Sequence, residues 1–217
     1  GLCQALAVSK TVQVLDLGAS NFGTDGIKYL AAALKTNKSV RSLNLSGAVR
    51  SQSDAAALSD AIVANITLLA IDLSHAHLGS AGFRALGEAL AANNTLQKLV
   101  LASTIRFGGE MAELVVGMSN NRGLLELDFS NSNFGARLGL LGTNGTKYLA
   151  SFLRAHRTVQ TLTLIGCLRN AEEAVELASC FEACPSLTTL DVRECIIGSA
   201  GVEKLVKSLT LSYHVET

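Results

Sequence analysis

Histidines, cysteines and acids are the side chains in this sequence with the most obvious chemical capacity. His75 and His77 flank Ala76. A His-x-His pair is half of a metal site, but no third and fourth ligand follows at a suitable spacing, so no metal is expected. Cys180 and Cys184 stand one helical turn apart, and Cys167 and Cys195 stand 28 residues apart. Small buried side chains account for all four. With Cys3 the total is five, and an odd number without regular pairing favours reduced thiols inside a cell. The sequence contains no Walker-type loop, no G-x-S-x-G and no Cys/His dyad. No catalytic residue, no cofactor and no enzymatic activity is therefore expected.

Charge and hydropathy narrow the partners. The 18 Lys and Arg are balanced by 18 Asp and Glu and scattered among them, so no nucleic-acid partner is expected. No apolar run approaches the length of a membrane span, and no signal-peptide pattern opens the chain, whose first residue is Gly. The expected location is intracellular and cytoplasmic, with an organelle or cytoskeletal assembly left open. Asn44, Asn65, Asn93 and Asn144 each begin an N-x-Ser/Thr triplet, read here as chance in an Asn- and Thr-rich chain.

The elements that hold these residues follow a clock. Hydrophobic content is 48% but aromatic content only 5%, so the core is built from Leu, Ala and Val, as in a repeat. Leu2, Leu30, Leu58, Leu86 and Leu114 are 28 apart, a step of 35 reaches Leu149, and steps of 28 resume at Leu177 and Leu205. A second register passes through Val12, Val40, Leu68, Leu96, Leu124, Val159 and Leu187. Each unit opens apolar-x-x-apolar-x-apolar, as in VQVLDL from Val12 and LLELDF from Leu124, and its closing alternation is a short strand with one buried face. Pairs such as Leu30 and Leu34, or Leu86 and Leu90, then mark one face of a helix. A lone strand–turn–helix unit cannot cover its apolar face, whereas stacked units share one core.

Smaller repeats support the clock. Asn37, Asn65, Asn93 and Asn121 recur at helix ends, where a left-handed residue is expected. Thr24, Ser80, Thr143 and Ser199 recur at the expected N-caps, each followed two residues later by Gly. The 28-residue clock, the LxxLxLxx(N/C/T/S)xL pattern and the following (T/S)xG resemble ribonuclease-inhibitor-type leucine-rich repeats over nearly the whole chain. The resemblance implies an α/β fold: a curved solenoid with a parallel sheet on the concave side and helices on the convex side. It also implies a surface that binds macromolecules, since members of the class inhibit nucleases, activate a small GTPase, cap actin filaments or sense immune ligands. The buried Asn of that class is Ser20, Ala48, Ala76, Thr104, Ser132, Cys167 and Cys195 here. Ala48 and Ala76 cannot serve the backbone, so the turn amides there need water or backbone partners.

A single domain is expected over residues 1–217: a leading helix at 1–11, then repeats starting at 12, 40, 68, 96, 124, 159 and 187. Odd units carry apolar–Gly at the turn (Phe22, Leu78, Phe134 and Ile197, each followed by Gly), and even units carry apolar–Arg. Arg50, Arg106 and Arg169 then face outward along one rim, lying over their own helices or forming a partner-binding row. The 35-residue unit holds an insertion at 136–142, ARLGLLG, with Arg137, Leu138, Leu140 and Leu141. Leaving such leucines in water costs roughly 1.5–3 kcal/mol each, so the insertion folds back on its own repeats or is covered by a partner. The concave face carries Asp16, Asn44, Asp72, Lys98, Glu126, Asp128, Asp191 and Arg193. Acids in alternate repeats lie roughly 10 Å apart, too wide for a carboxylate pair, so this face is either a protein-contact surface or merely solvated.

Neither end looks like a polar cap, and Val215 is in phase as the start of an eighth strand, so a longer parent protein is expected. The function expected is a protein–protein interaction module, a scaffold or adaptor subunit of a larger intracellular assembly. The alternative is a regulator of an enzyme, as an inhibitor or a small-GTPase activator.

Overall fold

A computed structural model describes residues 1–23, 25–135 and 144–212. Thr24, Thr143, Val215 and the insertion residues Arg137, Leu138, Leu140 and Leu141 lie outside the described residues. Among the described residues, helix α1 (Leu2–Val8) precedes seven strands that alternate with seven further helices. The strands are β1 (Val14–Asp16), β2 (Ser42–Asn44), β3 (Ala70–Asp72), β4 (Lys98–Val100), β5 (Glu126–Asp128), β6 (Thr161–Thr163) and β7 (Thr189–Asp191). The helices are α2 (Gly26–Thr36), α3 (Gln52–Ala64), α4 (Gly79–Ala92), α5 (Gly108–Gly117), α6 (Gly145–Ala155), α7 (Ala171–Ala178) and α8 (Gly198–Ser212). Short 3-10 turns at Met118–Asn120 and Phe181–Ala183 follow α5 and α7.

The strands form one parallel sheet in chain order, and each residue pairs with its counterpart in the next unit: Leu15 with Leu43, Leu43 with Ile71, Leu99 with Leu127, Leu127 with Leu162. The middle residue of each strand points into the core, where Leu43, Ile71, Leu99, Leu127 and Leu162 are buried against helix residues such as Leu30, Leu58, Leu86 and Leu114. The two residues flanking it face outward. Chain-order pairing at constant register is what identical units produce when each covers its neighbour. The result is a curved α/β leucine-rich-repeat solenoid, with the sheet concave and the helices convex. The leading helix is shorter than the expected 1–11, because Ser9 is already extended.

The recurring asparagines do something other than cap helices in the left-handed region. Asn37, Asn65, Asn93 and Asn121 are all extended, with φ between −62° and −110°. Each is buried, and its Nδ2 donates to a carbonyl near the end of the preceding unit's helix: Leu6 at 2.7 Å, Leu34 at 2.7 Å, Ile62 at 2.7 Å and Leu90 at 2.6 Å. Each Oδ1 accepts from the backbone amides two and three residues on, as Asn65 does from Thr67 and Leu68. One side chain thus satisfies a carbonyl that the helix end leaves unpaired and fixes the turn into the next strand. This ladder also explains the N-x-Ser/Thr triplets at Asn65 and Asn93: both asparagines are buried, and the amides of Thr67 and Thr95 close onto them.

The left-handed residues sit elsewhere, three positions after the last strand residue. Ala19, Gly47, His75, Ser103, Asn131, Gly166 and Glu194 all have φ between 54° and 68°. The expected N-caps also shift. Ser80 and Ser199 lie inside the first turns of α4 and α8, because left-handed Gly79 and Gly198 lead straight into the helix. The side-chain caps are Ser51, Asn144 and Asn170, which accept from the amides of Asp54, Thr146 and Glu173.

Candidate functional site

The outward faces of the strands carry the concave-face residues in two rows, as their spacing requires. Asp16, Asn44, Asp72, Val100, Asp128, Thr163 and Asp191 are aligned in one, and Val14, Ser42, Ala70, Lys98, Glu126, Thr161 and Thr189 in the other. The structure therefore brings Asp16, Asn44, Asp72, Asp128 and Asp191 together on one face, with Lys98 and Glu126 beside them.

Each carboxylate or amide in the first row also has a local task. Oδ1 of Asp16, Asn44, Asp72, Asp128 and Asp191 accepts from the backbone amide two residues on, at 2.8–3.1 Å. This Asx turn delivers the chain to the left-handed residue that follows. In Asp16, Asp72 and Asp128 one carboxylate oxygen is thus committed to the backbone and the other accepts no hydrogen bond among the described residues, whereas both oxygens of Asp191 are engaged by Arg193. Asn44 makes the same turn without a charge.

Two ion pairs divide the face. Lys98 Nζ meets Glu126 across adjacent strands at 2.8 Å, and Arg193 forks onto Asp191. The Arg193 guanidinium holds the Asp191 carboxyl below its usual range, with help from the Arg193 amide. Lys98, Glu126, Asp191 and Arg193 are therefore neutralised in pairs, whereas Asp16, Asp72 and Asp128 form no ion pair among the described residues. The unneutralised charge of the sheet face is an acidic stripe over β1, β3 and β5.

The rim arginines Arg50, Arg106 and Arg169 are exposed. Their backbone amides donate to acids four residues on: Asp54 at 3.4 Å, Glu110 at 2.7 Å and Glu173 at 2.7 Å. Glu110 and Glu173 are buried, and burial raises the Glu110 carboxyl above its usual range against the pull of the Arg106 amide and charge. These acids were not anticipated from the sequence, although their constant offset from the apolar–Arg pair is visible there.

The other chemically capable side chains serve the scaffold. His75 takes the left-handed turn position and His77 projects from the next turn, and both are exposed. Cys167 and Cys195 occupy a second ladder in which Thr104 and Ser132 also stand; their Sγ atoms donate to the carbonyls of Phe129 and Leu164. Burial pushes the Cys167 thiol up to about 12. Cys184 stands at an asparagine-ladder position and donates to the Leu153 carbonyl at 3.0 Å, while its hydrogen-bonding thiol and, after it, burial raise Cys180. At Ala48 and Ala76 the turn closes through the backbone, each amide donating to the carbonyl three residues before it. Among the described residues, no group of three or more His, Cys, Asp or Glu is placed to hold a metal ion. Among them, too, no helix is long and apolar enough to cross a membrane.

Residues 64–87 and 183–206 match the leucine-rich-repeat family model. Both segments run from a ladder position, Asn65 or Cys184, through a strand into the next helix, so each is one structural unit. The search of curated proteins found no match. Among solved structures the chain is similar to leiomodin-1 actin-binding site 2, at 14% identity, covering 97% of this chain and 87% of that one with a TM-score of 0.44. It is also similar to the tropomodulin C-terminal domain of Caenorhabditis elegans, at 13% identity over 97% and 90% of the two chains with a TM-score of 0.36. A third similarity, to the crystal structure of a TLR13–ssRNA13 complex, has 24% identity over 75% of this chain and 20% of that chain, with a TM-score of 0.48.

Proposed function

We propose that this chain is a non-enzymatic protein–protein interaction module, an adaptor or scaffold subunit of an intracellular assembly, and that it binds through the concave sheet face. The ribonuclease-inhibitor type is the subclass its 28-residue period and two-type alternation fit. The observation that carries the reading is the stripe of Asp16, Asp72 and Asp128. These acids alternate along a surface whose other charges are paired, which suits a partner presenting basic side chains at about 10 Å intervals.

The Asx turns decide which substitutions test this. Reversing a charge would also break a turn, whereas Asp→Asn keeps the acceptor, as Asn44 shows. The Asp72→Asn/Asp128→Asn variant should keep its thermal midpoint within about 2 °C, since the removed charges are surface charges of small energetic worth. In affinity purification at low ionic strength it should lose partners that the unaltered chain retains, and the difference should narrow as ionic strength rises, because salt screens the attraction that only the unaltered chain has. Equal recovery of the same partners would move binding off this face. A stoichiometric set of several proteins supports the scaffold, and a single co-purifying enzyme would instead indicate a regulator.

A further inference from the structure

The alternation of units leaves a polar recess on the rim. Arg50, Leu78 and Arg106 hold equivalent positions in three consecutive units. The two even units turn the arginine outward, while the odd unit between them turns Leu78 into the core, where it is 2% exposed. Left-handed Gly79 follows, and its missing Cβ admits the Gln52 side chain, which would otherwise lie 2.5 Å from that carbon. Between the arginines is a space of about 310 Å³, floored by Leu78 and Gly79 and walled by Arg50, Ser51, His77 and Arg106.

The charges in this recess are arranged with the donors open. Asp54 and Glu110 accept from the backbone amides of Arg50 and Arg106, so these acids serve the helix starts. Neither guanidinium forms a hydrogen bond or an ion pair among the described residues. Arg84 and Arg193, by contrast, fork onto Glu113 and Asp191, and Arg122 donates to backbone carbonyls. Two open guanidinium groups from units two repeats apart line the recess with the His77 imidazole and the Ser51 hydroxyl, and together they offer more donors than a carboxylate has oxygens. A phosphoryl group has three acceptor oxygens and close to two charges. It can therefore engage both arginines at once and still be attracted past the Glu110 carboxylate that lines the recess.

We infer that the recess between Arg50 and Arg106 binds a phosphoryl group carried on a side chain of a partner peptide. Only the source of the group rests on the reading of the chain as a protein-binding module; affinity for the group itself does not. The test is an NMR titration of the full 217-residue chain with N-acetyl-phosphoserine amide, and separately with N-acetyl-aspartate amide. Phosphoserine should produce saturable shifts at amides of residues 50–52, 77–79 and 104–110, and aspartate should not. Arg50→Gln and Arg106→Gln should each weaken phosphoserine roughly tenfold or more. Arg169→Gln, outside the recess, and Asp72→Asn/Asp128→Asn on the concave face should both bind as the unaltered chain does. Both recess arginines are exposed, so circular dichroism melting will show the variants folded. Absence of saturable shifts, an equal response to aspartate, or undiminished affinity in the arginine variants would each overturn the assignment. The concave-face proposal would survive any of these results, and its own failure would leave this binding intact.

Discussion

At residue 156 a histidine stands where four successive units place an asparagine. His156 is buried, its ring stacks on Phe152 at 4.5 Å, and its Nδ1 meets the Thr158 hydroxyl at 3.1 Å. Among the described residues its Nε2 has no hydrogen-bond partner of normal geometry. Burial, and then the Arg122 charge, push its pKa below the usual histidine value, against a smaller opposing effect of the Asn121 backbone. The neutral ring is therefore favoured in the folded state, and the unfolded chain binds more protons between the folded and unfolded pKa values. Stability contributed by this residue is present above about pH 6.5 and is lost as pH falls towards the folded value. His156→Asn offers a ladder donor worth about 1 kcal/mol and leaves a void costing about as much, so stability near pH 7.5 should change little. The difference lies in the slope. Urea denaturation at pH 5.5 should find His156→Asn more stable than the unaltered chain. An unchanged slope would show that His156 is not the group responsible.

At the scale of elements, spacing disclosed nearly all of the architecture. The residues of both concave rows fall into register as the period requires, because hydrophobic repetition is itself the cause of the stacking. What spacing did not disclose was how the units are joined. Asn37, Asn65, Asn93 and Asn121 bond to carbonyls 31 residues back, and a rule about local helix ends cannot contain such a partner. Their unvarying phase within the repeat was the available signal. The Asx-turn task of Asp16, Asp72 and Asp128 was hidden similarly, since acids aligned on a face suggest a ligand before they suggest a turn. Close approach of helices is likewise not encoded in the hydrophobic period. Gly87 in α4 and Gly117 in α5 touch, and a Cβ on Gly117 would lie 2.6 Å from the Gly87 backbone. Alanine gains roughly 1 kcal/mol in helix propensity, but overpacking against backbone costs about 1–3 kcal/mol or more. Gly117→Ala should therefore lower stability in chemical denaturation, and a gain would mean that the helices separate without penalty.

At the scale of the whole molecule, each unit is held by the neighbours on its two sides, so stability should vary along the stack. The middle units have a closed core: Leu99 and Leu127 are 0% and 1% exposed, and α4 and α5 are tied by the Arg84–Glu113 fork. Among the described residues the outer strands have one neighbour each. Leu15 in β1 and Leu190 in β7, the counterparts of Leu99 and Leu127, are only half-buried, and Val202, Val206 and Leu209 leave an apolar face of α8 exposed. A nearest-neighbour stack of this kind opens from its edges, because an edge unit gives up one interface where an internal unit gives up two. Native-state hydrogen exchange should show protection rising from β1 and β7 towards β3–β5, with the amides of Leu73 and Leu101 among the slowest; both donate to a neighbouring strand. Uniform protection across all seven strands would contradict this, since it requires the units to open together. The gradient also bears on binding. A partner spanning Asp16, Asp72 and Asp128 bridges a fraying unit to the closed centre, so its binding should slow exchange most strongly at the β1 end.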